Sequence, residues 1–229
     1  MVTLSTRSVR TFVLRQGRLT EGQQKSLDQY WPSYGLELPE TGQLDLQQCF
    51  QSTGPVWLEI GFGNGEALVA MAKTRPEVNF LGVEVHLPGV GHALGEIAAH
   101  ELQNVRIIRY DALELLENHL PANSVDRLSL FFPDPWHKKR HRKRRIVNPE
   151  FLRFTNQVVI ADGVMHIATD WESYAEHIKE EFALCEFFTR VEDETLHQKV
   201  VEARPLTKFE QRGLRLGHKV TDLVYRNTP

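Results

Sequence analysis

Phe131-Phe132-Pro133-Asp134-Pro135-Trp136-His137-Lys138 is the stretch of this chain best suited to chemistry. Each proline fixes its own φ and keeps the residue before it out of the helical region. Asp134 is therefore held extended on a stiff turn, as suits a carboxylate that must be aimed. Trp136 offers a flat ring on which a nucleobase could stack; the plainer alternative is a proline turn with a core tryptophan. The run Lys138-Lys139-Arg140-His141-Arg142-Lys143-Arg144-Arg145 follows at once. A charge run is ordinarily a solvated loop. This one begins beside Asp134, so its cations can meet the phosphates of a nucleic acid. Crowded like charges repel, and the run is expected to be mobile without RNA.

A second constellation lies upstream. Leu58-Glu59-Ile60-Gly61-Phe62-Gly63-Asn64-Gly65 reads as a strand followed by a glycine turn that opens a helix. The dinucleotide fingerprint needs a third glycine where Glu66 stands. An acidic residue entering that turn opposes a pyrophosphate and suits a cationic ligand such as S-adenosylmethionine, as does Glu59 beside the loop. Glu84 comes about twenty residues after the loop, the spacing of a carboxylate that accepts from ribose hydroxyls; a helix-capping surface glutamate is the alternative. Asp111 can hold an adenine amino group or cap a helix over Leu113–Glu117. Asp170 can face a crevice or cap the helix that follows it. Thr207-Lys208-Phe209-Glu210 has the pattern of a capping box and would start a helix ending near Gly217.

These residues need a frame. Short apolar runs at Val56–Ile60, Phe80–Val85, Val105–Tyr110, Val125–Phe132 and Val164–Thr169 read as strands. Helical stretches separate them: Ala67–Lys73, one reaching about His100, one from Pro149 to Ile160, and Trp171–Leu184. Glu186–Val191 and Val220–Tyr225 are later strands. Such alternation predicts a mainly parallel, doubly wound α/β sheet with helices on both faces. Its ligand crevice lies beyond the carboxyl ends of the strands. Glu84, Asp111, Asp134 and Asp170 each fall at or just after such an end. Residues 1–50 lack this rhythm, with some helix around Glu21–Tyr30, and read as a partly basic extension carrying Arg7, Arg10, Arg15 and Arg18. Residues 51–229 form the α/β domain. The polar stretch Glu192–Ala203 is expected to be a flexible connection.

Composition fits this frame. The chain has 229 residues, 41% hydrophobic and 25% charged, with a formal net charge of −3. That is enough chain for one sizeable core. No apolar run is long enough to span a bilayer, and the first eighteen residues lack a signal-peptide core, so a cytoplasmic protein is expected. Cys49 and Cys185 stand far apart with no zinc-ligand spacing; neither a disulfide nor a metal is expected. Basic patches on a mildly acidic chain remain able to bind a polyanion.

The chain resembles the bacterial tRNA (guanine-N7)-methyltransferase family, whose fold is the seven-stranded, Rossmann-like class I methyltransferase sheet. The matching segments are LEIGFGNGEALV, FLGVEVHLPGVG, LFFPDPWHKKRHRKRRIV, ATDWESYAEH and RPLTKFEQRGLRLGH, covering most of Pro55 to Tyr225, with FVLRQGRLT near the start. The Pro-Asp-Pro-Trp-His-Lys run is far more specific than the glycine loop. The resemblance implies an enzyme that moves a methyl group from S-adenosyl-L-methionine to N7 of the variable-loop guanine of tRNA. It implies cofactor contacts from Glu59, Gly61, Gly63, Glu84, Asp111 and Asp134, with Asp134 the catalytic candidate. Lys138, Asp170, Thr207, Lys208, Phe209 and Glu210 would contact the tRNA. A monomer or homodimer is expected. Rival readings are an exocyclic-amine methyltransferase, a nicotinamide-dependent oxidoreductase and a non-catalytic RNA-binding protein.

Overall fold

The computed structural model describes residues 10–12, 18–207, 210–211, 217 and 219–228. Lys208 and Phe209, Arg7 and Arg15, and most of the helix expected after Thr207 lie outside them.

Seven strands form one sheet: β1 Val56–Ile60, β2 Asn79–Val83, β3 Val105–Ile108, β4 Val125–Phe131, β5 Val159–Thr169, β6 Phe188–Arg190 and β7 Thr221–Asn227. Their order is β3-β2-β1-β4-β5-β7-β6. The first five run parallel, and β7 is antiparallel to both β5 and β6. Helices α3 Glu66–Thr74, α4 Leu87–Ala99, α5 Ala112–Asn118, α6 Pro149–Val158 and α7 Glu172–Ala183 lie between the strands. β2 is buried at all five positions, which explains an apolar run without alternation: a parallel strand is covered on both faces. Its successive residues belong to different cores. Phe80 joins Leu68, Leu94 and Ile107 under α3 and α4. Leu81 joins Leu58, Phe154, Tyr174 and Ile178 on the opposite face.

Chain order puts β1 and β4 side by side, with the winding continuing away from each. The reversal opens a crevice at their carboxyl ends, where the glycine turn follows β1 and the Pro133–Pro135 turn follows β4.

Before the sheet, α1 spans Glu21–Tyr34. It starts at a reciprocal capping box in which Gln23 N donates to Thr20 Oγ1 (3.2 Å) and Thr20 N to Gln23 Oε1 (3.0 Å). α1 lies along α4, with Leu27, Tyr30, Trp31 and Tyr34 against the α3–α4 core. A short α2, Leu46–Phe50, capped by Asp45, adds Leu46 and Phe50 to the opposite core.

The segment expected to be a flexible connection folds instead as α8, Glu194–Glu202, with Asp193 accepting from Leu196 N at its start. Its apolar residues are few, but Leu196 and Val200 are one turn apart and close on Val191 and Val224.

A buried polar chain ties the late strands together. Arg127 on β4 donates through Nη2 to His166 Nδ1 on β5 (2.9 Å). His166 Nε2 meets Asp222 Oδ1 on β7 (2.7 Å). A carboxylate only accepts, so the imidazole hydrogen sits on Nε2 and the ring is neutral. Burial, with Arg127 and Arg204 nearby, lowers the His166 pKa to about 4 against the pull of Asp222. In the unfolded chain the ring takes a proton near pH 6.5. This contribution is therefore intact above pH 6.5 and is lost as pH falls towards 4, by about 3 kcal/mol. Denaturant unfolding between pH 7 and pH 4 should show that loss, and His166→Gln should flatten it. An equally steep fall in the variant would assign the acid sensitivity to other groups.

Candidate functional site

β1 delivers Glu59 and then turns through Gly61, Gly63 and Gly65, with φ of 70°, 59° and 81°. Gly65 is the N-cap of α3, and a Cβ there would lie 2.7 Å from that of Ala93 on α4. Only glycine meets both the positive φ and the close approach. Opposite, Gly89 on α4 would place a Cβ 2.2 Å from the Gly63 carbonyl oxygen. The loop thus rests directly on the helix that follows β2.

Glu84, one residue beyond β2, fastens this loop. Its Oε2 accepts from Gly63 N (2.9 Å), and its Oε1 from Val85 N (2.6 Å) and His86 N (2.9 Å). A carboxylate offers about four acceptor sites, so three amides leave room for one further donor. Asp111 caps α5, its Oδ1 accepting from Leu113 N (2.9 Å) and Glu114 N (3.4 Å). Glu59 differs from both. It is 3% exposed, and its Oε2 has no hydrogen-bond partner. Burial, offset by Arg127 and reinforced by Glu84, raises its pKa to about 8. Burying a carboxylate without a partner is costly, and the group holds its proton instead.

After β4 the backbone is strained on both sides of Asp134. Phe132 has φ 51° and Trp136 has φ 46°, each costing about 1–3 kcal/mol. Phe132 is held by its N–H donating to Ala168 O (2.7 Å). Trp136 is held by Arg144, whose guanidinium lies 5.0 Å from the ring centroid, by His141 edge-on at 6.0 Å, and by Nε1 donating to Thr11 O (3.3 Å). The basic run, expected to be mobile, forms a 3-10 helix over Lys139–Arg144, partly because Arg144 packs on this indole. At its end Arg145 turns inward. Nε donates to Pro135 O (3.0 Å), Nη1 to Ser173 O (3.4 Å), and the guanidinium covers the Tyr174 ring at 4.7 Å. Asp134 itself is exposed.

The C-terminal segment closes the crevice from β7. Arg204 grips both carboxylate oxygens of Glu210 and both of Asp222, and stands 5.7 and 5.5 Å from the Phe131 and Phe132 ring centroids. Glu210 N donates to Thr207 Oγ1 (3.2 Å), one half of the expected capping box. Glu210 is thereby directed inward.

Gly61, Glu84 and Asp134 line one cavity of about 230 Å³ with Thr11 and Phe12 at its edge. Glu59, Gly61, Gly63 and Thr207 line an adjoining one of about 500 Å³, and the two share Phe131 and Phe132. Asp111, Lys138 and Asp170 lie outside both linings. Asp170 is half-buried and Lys138 exposed; the rings of their chain neighbours, Trp171 and His137, stand 5.0 Å apart. Sequence reasoning missed Arg145 and Arg204. Arg145 was submerged in a run of like residues, and nothing near Arg204 marked it as facing two carboxylates. Among the described residues no His, Cys, Asp and Glu cluster is arranged to hold a metal, and no helix is long and apolar enough to cross a membrane.

Residues 53–223 match a family described as "Putative methyltransferase". The chain is 49% identical to the tRNA (guanine-N(7)-)-methyltransferase of Shewanella amazonensis, over 96% of this chain and 92% of that one. It is 50% identical to the protein of the same name from Klebsiella pneumoniae, over 96% and 91%. Among solved structures it is similar to the 16S rRNA methyltransferase KamB, with a TM-score of 0.59, 18% identity and coverage of 86% of this chain and 98% of that one. That likeness concerns the fold.

Contact between α4 and the glycine turn is tight enough to test. Gly89→Ala should push α4 off Gly63, cost about 2 kcal/mol and lower Tm by about 6 °C. Calorimetry of both proteins measures this; an unchanged Tm would mean that turn and helix separate without strain.

Proposed function

The chain belongs to the tRNA (guanine-N(7)-)-methyltransferase family, and on that premise we propose how its crevice serves the reaction. The enzyme transfers a methyl group from S-adenosyl-L-methionine to N7 of a guanine in tRNA. We assign the target to the variable loop. The observation that carries the reading is the convergence of an unpartnered buried Glu59, the Glu84-bound glycine turn and a rigidly mounted Asp134 on adjoining cavities.

When bound, S-adenosyl-L-methionine supplies an electrophilic methyl group on a sulfonium. Its donor set suits the residues present. Glu59 would take the cationic ammonium, Glu84 has one acceptor site left for a ribose hydroxyl, and Asp111, buried between the cavity-lining Tyr110 and Ala112, would be the candidate for the adenine amino group. Gly61 and Gly63 let the ligand approach the backbone.

Guanine N7 carries an unshared pair and loses no proton on methylation, so a strong general base is not needed. The protein has to align the base and favour positive charge as it grows on the ring. Asp134 does both by accepting from guanine N1–H and the exocyclic amine. Its neighbouring prolines and the Arg145–Pro135 hydrogen bond hold it in place. Drawing the guanine out of its stack requires that the RNA be held. Lys138 with the basic 3-10 helix, Asp170, the N-terminal arginines and the Thr207–Glu210 segment, including Lys208 and Phe209, do this. Glu210 contributes through Arg204, which fixes the segment against Phe131 and Phe132. The same reading places the enzyme with its substrate in the cytoplasm, as a monomer or homodimer.

Incubation with labelled S-adenosyl-L-methionine and unmodified tRNA, followed by nucleoside analysis, should give label in 7-methylguanosine. Asp134→Asn should lower kcat about a hundredfold at saturating tRNA. Full turnover by the variant would remove the charge from the mechanism.

Glu59 gives a pH prediction. Its raised pKa leaves it mostly neutral at pH 7, and a cation stabilises the ionised form, so cofactor binding expels a proton. Affinity should rise with pH, nearly tenfold per unit well below pH 8, and stop rising near pH 8, where the ligand's own ammonium begins to lose its proton. Calorimetric titration of enzyme and Glu59→Gln across pH 6 to 8 measures this. Affinity independent of pH in the unaltered enzyme would move the ammonium elsewhere.

A further inference from the structure

Trp136, the ring that sequence offers for stacking, is already engaged by Arg144, His141 and the Thr11 carbonyl. Another indole stands nearby without such cover. Trp171, two residues past the end of β5, is 39% exposed. Exposed Leu184 and Phe187 lie beyond the far end of α7, and Leu206 in the C-terminal segment.

Trp171 is exposed but fixed. Its N–H donates to Thr169 Oγ1 (3.2 Å), its Nε1 to Ser173 Oγ (2.9 Å), and its carbonyl accepts from Tyr174 N and Ala175 N, both at 2.9 Å. Its ring leans on His137 at 5.0 Å with 40° between the planes. The two rings sit on separate turns, after β4 and after β5, and buried Arg145 joins those turns by bonding Pro135 O and Ser173 O. A tryptophan that stays wet forgoes the burial that usually holds such a side chain. Here hydrogen bonds fix its edge while much of the ring remains in solvent.

Its surroundings say what would cover it. Lys138 and the basic 3-10 helix Lys139–Arg144 follow His137 directly, and Asp134 is three residues before it. A ring beside cations on the substrate side of a crevice matches a nucleotide, with its phosphate on the cations and its base on the indole. From this juxtaposition we infer that the Trp171–His137 pair is a stacking site for an unpaired nucleobase of the tRNA, a neighbour of the target guanine, and that Trp171 helps determine which tRNA conformation the enzyme accepts. The inference rests on the tRNA reading above. It gives the extruded strand a resting place apart from the Asp134 pocket, so the target can enter while its neighbour stays stacked.

Steady-state kinetics with unmodified tRNA, scored as 7-methylguanosine, test this on the full chain and on Trp171→Ala and Trp171→Phe. Loss of one base stack should raise KM for tRNA about tenfold in Trp171→Ala. Trp171→Phe, which keeps a ring, should stay within about threefold of the unaltered enzyme. KM for S-adenosyl-L-methionine and kcat at saturating tRNA should not move. The slope of log KM against log salt should also stay constant, because no phosphate contact is removed. An unchanged KM for tRNA in Trp171→Ala, alongside an active unaltered enzyme, would overturn the stacking site alone. So would a folded Trp171→Phe as impaired as Trp171→Ala, or a slope reduced by about one, which would make the residue part of a phosphate contact. No 7-methylguanosine from the unaltered enzyme would overturn the underlying reading and this inference with it.

Discussion

The guanidinium of Arg145 holds together the side of the crevice that carries Asp134. It is 3% exposed and reaches backward to Pro135 O and forward to Ser173 O, over the face of buried Tyr174. Two turns that belong to different strands become one rigid piece. On the first, Phe132 and Trp136 sit at positive φ around Asp134, a geometry that persists only where its surroundings over-determine it. On the second, Asp170 and the N-cap Trp171 lead into α7. Removing the arginine would release strain on one side and unmoor the helix on the other.

Glu84 plays the matching part across the crevice, but through accepted bonds. Its carboxylate collects three backbone amides, one from the glycine turn and two from the start of its own connection. The loop is thereby shaped before any ligand arrives, which lowers the ordering cost of binding. Glu59, on β1 just before the loop, is left without such partners and kept largely neutral by burial. Two glutamates, one on β1 and one just past β2, thus differ because one is bound by amides and the other lies buried at the cavity wall without them.

A third set of charges works farther from solvent. Arg127, His166, Asp222 and Arg204 connect β4, β5, β7 and the segment carrying Thr207 and Glu210. Arg204 is matched by the Glu210 and Asp222 carboxylates, whereas Arg127 Nη2 bonds only neutral His166 and Val200 O and its Nε has no partner, at a cost that burial makes larger. The network reaches the site through Arg204, whose guanidinium stands by Phe131 and Phe132 just before Asp134. The antiparallel end of the sheet thereby helps set the position of the turn that carries Asp134.

The alternation of apolar runs with helical stretches determined the parallel core of the sheet, because a strand buried on both faces has few sequence alternatives. The glycines of the turn, the carboxylates at the strand ends and the proline-bracketed Asp134 were legible for the same reason: each depends on backbone geometry within a few residues. α8 was less so, since its apolar face is small, Leu196, Val200 and Val201, and packs in a cluster with Val191 and Val224 that sequence order does not reveal. Chain order alone did not show that Trp136 would be covered by Arg144 while Trp171 stayed open, nor that Arg145 would leave a basic run to bind two carbonyls. It did not show that Glu210 would turn inward to Arg204. Those outcomes rest on side chains separated in sequence and meeting in space, where hydrogen-bond matching and desolvation select one partner among many. The sequence by itself determined which residue types stand at the crevice; the tertiary structure decided which of them are occupied by the protein and which are left for a ligand.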